Sequence, residues 1–144
     1  MSQQTFRKTL SANDVGSTGG HQAGIHIPKG EKELLKILPS LEPGIKNPDA
    51  WLECVDDEGQ RLRFRFVYYN NKHHDEGGTR DEYRVTHMTS WFRDVGAREG
   101  DEFEITKTED SSVYSIRIQQ KAIQEPDEGQ EGVRIRLNSW RRVH

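Results

Sequence analysis

Arg61-Leu62-Arg63-Phe64-Arg65-Phe66 alternates strictly between a cation and a large apolar side chain. Successive side chains of a strand point to opposite faces, so this run predicts three arginines on one face and Leu62, Phe64 and Phe66 on the other. Upstream, Ala50 to Val55 is a second apolar-rich run, and Asp56-Asp57-Glu58-Gly59-Gln60 between them reads as a hairpin turn. Working outward, Thr5 to Ser11, Gly24 to Pro28, Tyr83 to His87, Glu102 to Thr106, Val113 to Ile118 and Val133 to Leu137 also read as short strands. Glu31 to Leu38 has helical spacing, with Leu34, Leu35 and Leu38 on one side and Pro39 as its stop. Ser90 to Val95 predicts a second short helix. Seven or so strands with two short helices predict a mainly β, barrel-like single domain over residues 1–144, with an apolar lumen.

Of the 144 residues, 31% are apolar and 31% charged, so the core must be economical and the surface heavily ionised. The formal charge of −3 is unevenly spread. Bases dominate from Arg61 to Arg93, acids from Asp94 to Gly132, and bases again in the last residues through Arg134, Arg136, Arg141 and Arg142. Local field rather than net charge steers an anionic ligand, so the acidic total does not exclude one. Cys54 is the one cysteine and lies in an apolar run, where a small buried hydrophobe is expected. Met1 to Lys8 has no signal-peptide character and no stretch approaches a membrane span, which predicts a cytoplasmic protein.

Two long polar segments interrupt this pattern: Leu10 to Gln22, rich in glycine, and Asn70 to Glu82. Loops of this length in a small domain are usually functional or disordered. Two polar arms on one body suggest a clamp. Nuclease chemistry commonly pairs an acid with a lysine two residues later, and no lysine here has such a partner. Glu102-Phe103-Glu104 fits an atypical metal site only loosely, because alternating acids are common on surface strands. His73-His74-Asp75-Glu76 carries ligand-type groups, but neighbouring histidines point apart and no cysteine pair completes a set. Gly16 to His21 lacks the ending of a phosphate-cradling loop.

Readout of DNA fits better. Arginine grips guanine O6 and N7 with two hydrogen bonds, and a carboxylate accepts from cytosine N4. Arg80, Glu82 and Arg84 share one face of an extended chain. The same groups can equally form surface ion pairs, and spacing alone does not separate the two.

The residues Lys8 to Asp14, Gly16, Thr18 to Gln22, Gly24 and Ile27-Pro28, then Tyr68 to Asn70, His73, Thr79-Arg80, Glu82 and Arg84 to Thr86, resemble the N-terminal effector domains of EcoRII-type restriction endonucleases. The likeness covers most of residues 5 to 95. Beyond it, Gly100 to Ile105 is similar to the B-three domains of plant transcription factors. The resemblance implies an open, seven-stranded DNA-binding pseudobarrel whose two arms enter the major groove, each reading half of a short site such as CC(A/T)GG. It also implies that a separate nuclease domain does the cutting.

On this reading His21, His26, Arg80, Glu82, Arg84, Asn13 and Asp14 read bases, while Lys8, Lys72, Thr79 and Tyr83 contact the DNA backbone. Of the family's contact positions, His21, Arg80, Glu82 and Arg84 match; a family tyrosine aligns with His26, and family lysines align with Gly78 and Tyr83. The expected partner is double-stranded DNA, with no membrane, no metal, no cofactor and no catalytic residue in this domain. The alternatives are a self-contained nuclease using Glu102 and Glu104, or a protein-interaction barrel.

Overall fold

In a computed structural model describing residues 3–16, 24–120 and 140–142, the alternating run forms the centre of a strand, β4, spanning Arg61–Tyr69. Phe64 and Phe66 are buried, whereas Arg61 and Arg63 are exposed and Arg65 is half-buried. Its hairpin partner β3 is Asp49–Asp56, antiparallel with Leu52 opposite Phe64. The turn is organised by Asp56, whose carboxylate accepts the backbone N–H groups of Glu58 (3.0 Å) and Gln60 (2.8 Å) and the indole N–H of Trp91 (3.1 Å). Burial opposes the charge on Asp56, but these three donors outweigh it and hold the carboxyl below its ordinary range.

The remaining strands are β1 (Gln3–Thr9), β2 (Ile25–Ile27), β5 (Glu82–Thr86), β6 (Glu102–Thr108), β7 (Tyr114–Gln119) and β8 (Trp140–Arg142). Helix α1 is Lys32–Ile37 and α2 is Thr89–Val95. The sheet order is β2-β5-β4-β3-β7-β6-β1-β8, antiparallel throughout except for the parallel β3–β7 pair. The two ends of this order come together: the Trp140 indole on β8 donates to the backbone carbonyl of His26 on β2, at 3.2 Å. The sheet is thus an almost closed barrel, as the sequence predicts. It has eight strands among the described residues rather than seven. β8 was not anticipated, and the predicted strand Val133 to Leu137 lies outside the described residues.

The lumen is filled from every strand. Phe6, Ile25, Ile27, Leu52, Phe64, Phe66, Val85, Phe103, Ile105 and Ile116 are buried there with Leu34 of α1. Trp91 of α2 packs against Phe64, Phe92 and Phe103, and Phe103 meets Trp140 edge-on at 6.0 Å. Burial of several such rings is the main stabilising term of a domain this size. Helix α2 ends at Gly96, whose φ of 69° gives the left-handed cap that glycine adopts without a steric penalty. Cys54 is buried, and burial pushes its thiol up to about 12. Among the described residues no helix is long and apolar enough to cross a membrane.

Candidate functional site

The first arm leaves β1 through a pinned root. Lys8 is 2% exposed, and its ammonium is paired with the buried Asp14 carboxylate. Asp14 also accepts the Ser11 N–H at 2.9 Å, while the Ser11 hydroxyl accepts the Asp14 N–H at 3.1 Å. Gly24 N–H returns to the Asp14 carbonyl at 3.0 Å, closing the base of the loop. A β-carbon at Gly24 would lie 2.7 Å from the Val85 carbonyl oxygen, so only glycine fits where the arm rejoins the barrel. Lys8, expected at a phosphate, and Asp14, expected at a base, are here buried and paired with each other. Asn13 is exposed, and His21 lies outside the described residues.

The second arm is tied down on both flanks. Asn70 is fully buried; its side chain accepts the Asn47 N–H at 2.7 Å and donates to the carbonyls of Ile45 (2.9 Å) and Pro43 (3.2 Å). His74 reaches the Pro43 carbonyl at 2.9 Å, and Lys46 pairs with Asp75. The arm then folds back on itself: Lys72 N–H donates to the Arg80 carbonyl at 3.0 Å, and Arg80 N–H to the Asn71 side-chain oxygen at 2.8 Å. Asp81 gathers the Lys29 ammonium, the Tyr68 hydroxyl and His73 (3.2 Å). Lys29 and Tyr68 hold its carboxyl well below the usual carboxylate range. His73, His74 and Asp75 therefore shape the arm, each with a different partner. Lys72 and Thr79 are exposed on it.

Between the arms lies a cleft of about 430 Å³ lined by Asn13, Arg65, Tyr69, Arg80, Arg84, Thr86 and His87. Strand periodicity builds it. Glu82, Arg84 and Thr86 share the outer face of β5, in register with Tyr69 and Arg65 of β4 and His26 of β2: Tyr69 pairs with Glu82, Arg65 with Thr86, His26 with Arg84. Tyr83 is on the other face, its ring stacked on Tyr68 (4.5 Å) and Phe66 (5.7 Å). The expected DNA-backbone residue Tyr83 thus has its ring packed on the barrel wall.

Arg80, Glu82 and Arg84 do come together. Arg80 bonds Glu82 Oε1 through Nη2 (2.6 Å) and Nε (3.3 Å), while Glu82 Oε2 lies 4.0 Å from both Arg84 and His26. Burial lowers the His26 imidazole's affinity for a proton, with Glu82 opposing and Arg84 assisting. Three guanidinium groups line the cleft, and among the described residues none of those lining it carries a carboxylate. Carboxylates stand just behind these guanidiniums, Asp49 on Arg65 at 2.6 Å and Glu82 on Arg80.

Sequence reasoning missed Tyr69, Thr86 and His87. His87 has a φ of 68°, bonds the Thr86 hydroxyl through Nδ1 at 2.9 Å and packs edge-on against Trp51 at 5.2 Å. Its position one residue beyond the Glu82-Arg84-Thr86 alternation was the available signal.

Glu102 and Glu104 stand on β6. Glu104 accepts from Arg7 (2.7 Å) and Arg117 (3.0 Å), while Glu102 accepts from Arg141 and forms an ion pair with Arg7 at 3.4 Å. Burial works against the charge on Glu104, yet the two guanidiniums lower its pKa. Carboxylates already matched by three arginines are poor ligands for a divalent cation. Among the described residues no group of three or more histidine, cysteine or acidic side chains is arranged to hold a metal ion.

The family model described as "Restriction endonuclease EcoRII, N-terminal" matches residues 1–96. The chain belongs to that EcoRII N-terminal family. The Escherichia coli type II restriction enzyme EcoRII is 42% identical over 89 residues, covering 56% of this chain and 20% of the enzyme. The chain thus matches about a fifth of that relative's length. A solved Arabidopsis FUS3-DNA complex shares the fold, with a TM-score of 0.60 at 20% identity, over 81% of this chain and 96% of that one. The EcoRII N-terminal match contains both arms and every residue lining the cleft, while β6, β7 and β8 complete the B-three-like pseudobarrel outside it.

Proposed function

We propose that this chain binds double-stranded DNA sequence-specifically, as the recognition or effector module of a type II restriction endonuclease, and that CC(A/T)GG or a related site is its target. The observation that carries this reading is the cleft lined by Arg65, Arg80 and Arg84, with Glu82 beside them, at the root of one polar arm and against the other. Arginine supplies the paired donors that distinguish guanine in the major groove, and Glu82 supplies an acceptor for a cytosine amino group. Arg80, Glu82 and Arg84 read base edges from the second arm and its following strand, while Asn13, His26 and His21 serve the other half of the site. Lys72 and Thr79 contact phosphates, which position the duplex without carrying sequence information. The pairing of Arg80 with Glu82 in the free protein exchanges for base contacts on binding. Cutting belongs to a separate nuclease domain, and this module requires no cofactor.

Fluorescence anisotropy tests the reading directly. A labelled duplex carrying CCAGG should bind at least ~10³-fold more tightly than a scrambled duplex at physiological salt. Equal affinity for the two, or no binding at low salt, overturns it. Cleavage of CC(A/T)GG plasmid by this chain alone with Mg²⁺ would instead favour a self-contained nuclease.

A further inference from the structure

Tyr69 is the last residue of β4 and the cross-strand partner of Glu82 on β5. Directly opposed residues of an antiparallel pair stand side by side on one face, close enough for both to grip a third side chain. Arg80 is that third side chain. Its guanidinium carbon lies 3.7 Å from the centre of the Tyr69 ring, and its Nε and Nη2 engage Glu82 Oε1 at 3.3 and 2.6 Å. Its backbone N–H is fixed to Asn71 Oδ1 at 2.8 Å. One strand supplies an aromatic face and the other a carboxylate edge, so a long, flexible side chain is held from beneath and from one side.

We propose that Tyr69 is a positioning residue that holds Arg80 in its base-reading orientation before DNA arrives. This inference rests on the DNA-binding reading above. An unrestrained arginine loses rotamer freedom when it docks, whereas a stacked one has already surrendered it. Stacking leaves the planar fork in a fixed plane, and Glu82 occupies only the Nε–Nη2 edge. The Nη1 side is the one offered to an acceptor. When Glu82 turns to a base, the ring keeps Arg80 in place. The ring face, not the hydroxyl, does this.

Tyr69→Phe and Tyr69→Leu separate the two contributions. Two readouts apply: the ring-current shift of the Arg80 side-chain NMR signals without DNA, and discrimination between two duplexes. The first duplex is the one most enriched from a random pool by the unmodified chain; the second carries one G·C to A·T change in it. Tyr69→Phe should keep the shift and hold discrimination within about twofold. Tyr69→Leu should lose the shift and about three- to tenfold of the discrimination, the scale of one cation–π contact.

Should Tyr69→Leu fail to fold by thermal melting, Tyr69→Gln takes its place. Discrimination unchanged in the leucine or glutamine variant, or lost equally in Tyr69→Phe, overturns the role. If the unmodified chain enriches no sequence at all, the failure lies in the DNA-binding reading itself and is seen before any variant is made.

Discussion

Lys8 and Asp14 form an ion pair almost sealed from water at the root of the first arm, six residues apart in the chain. Removing one member of such a pair leaves an uncompensated charge, which costs far more than the pair contributes. Asp14→Ala should therefore destabilise the fold by roughly 3–5 kcal/mol in urea unfolding, while Lys8→Met with Asp14→Leu should cost much less. A small loss for the single substitution would show that the arm root opens to solvent.

Arg80→Ala should reduce discrimination against a site with one altered G·C pair by roughly 1–3 kcal/mol, the scale of a two-bond contact to guanine. Anisotropy titration against the matched and altered duplexes gives the number. Equal losses on both would assign Arg80 to the DNA backbone.

Lys72 is exposed at the start of the second arm. Lys72→Ala should weaken binding to all duplexes alike and reduce the slope of log K against log salt by about 0.9. A sequence-dependent loss would place its ammonium at a base edge instead.

The family resemblance sets a lysine against Gly78, and a β-carbon there would lie 2.2 Å from the Asn71 carbonyl oxygen. Restoring the charge should therefore harm rather than help. Gly78→Lys should speed hydrogen exchange at the Lys72 and Arg80 amides and leave DNA affinity no higher than before. Tighter binding by this variant would mean that the arm adapts to a side chain at little cost.

Asp81 carries a pH signature. Its folded-state pKa is depressed by the Lys29 and Tyr68 contacts below the ordinary value of 3.8. A depressed acid stabilises the fold above its unfolded pKa and loses that contribution as pH falls through the folded value. Amide protection across residues 71–81 should accordingly hold above about pH 4 and decline in more acid solution. Asp81→Asn should flatten that profile.

Much of the barrel was legible because period two is a local property. Arg61 to Phe66 displays its two faces without reference to any other strand, and Glu82, Arg84 and Thr86 do the same. The alternation that makes Arg84 an outward residue also turns Tyr83 inward, so its stacking on Tyr68 was implied by the same spacing. Tyr69 beneath Arg80 was not legible, because which residue of β4 faces Glu82 depends on the register of the whole β4–β5 pair. The burial of Lys8 was hidden for a related reason: a lysine on a polar-flanked strand reads as solvated until its carboxylate partner is seen. β8 has three residues, too few to show a period, and His87 owes its direction to a backbone torsion that side-chain type does not encode.

The bond from Trp140 to the carbonyl of His26 joins the last described strand to the strand beside Arg84. A strand from near the end of the chain, outside the EcoRII N-terminal match, thus braces the same wall that carries the cleft.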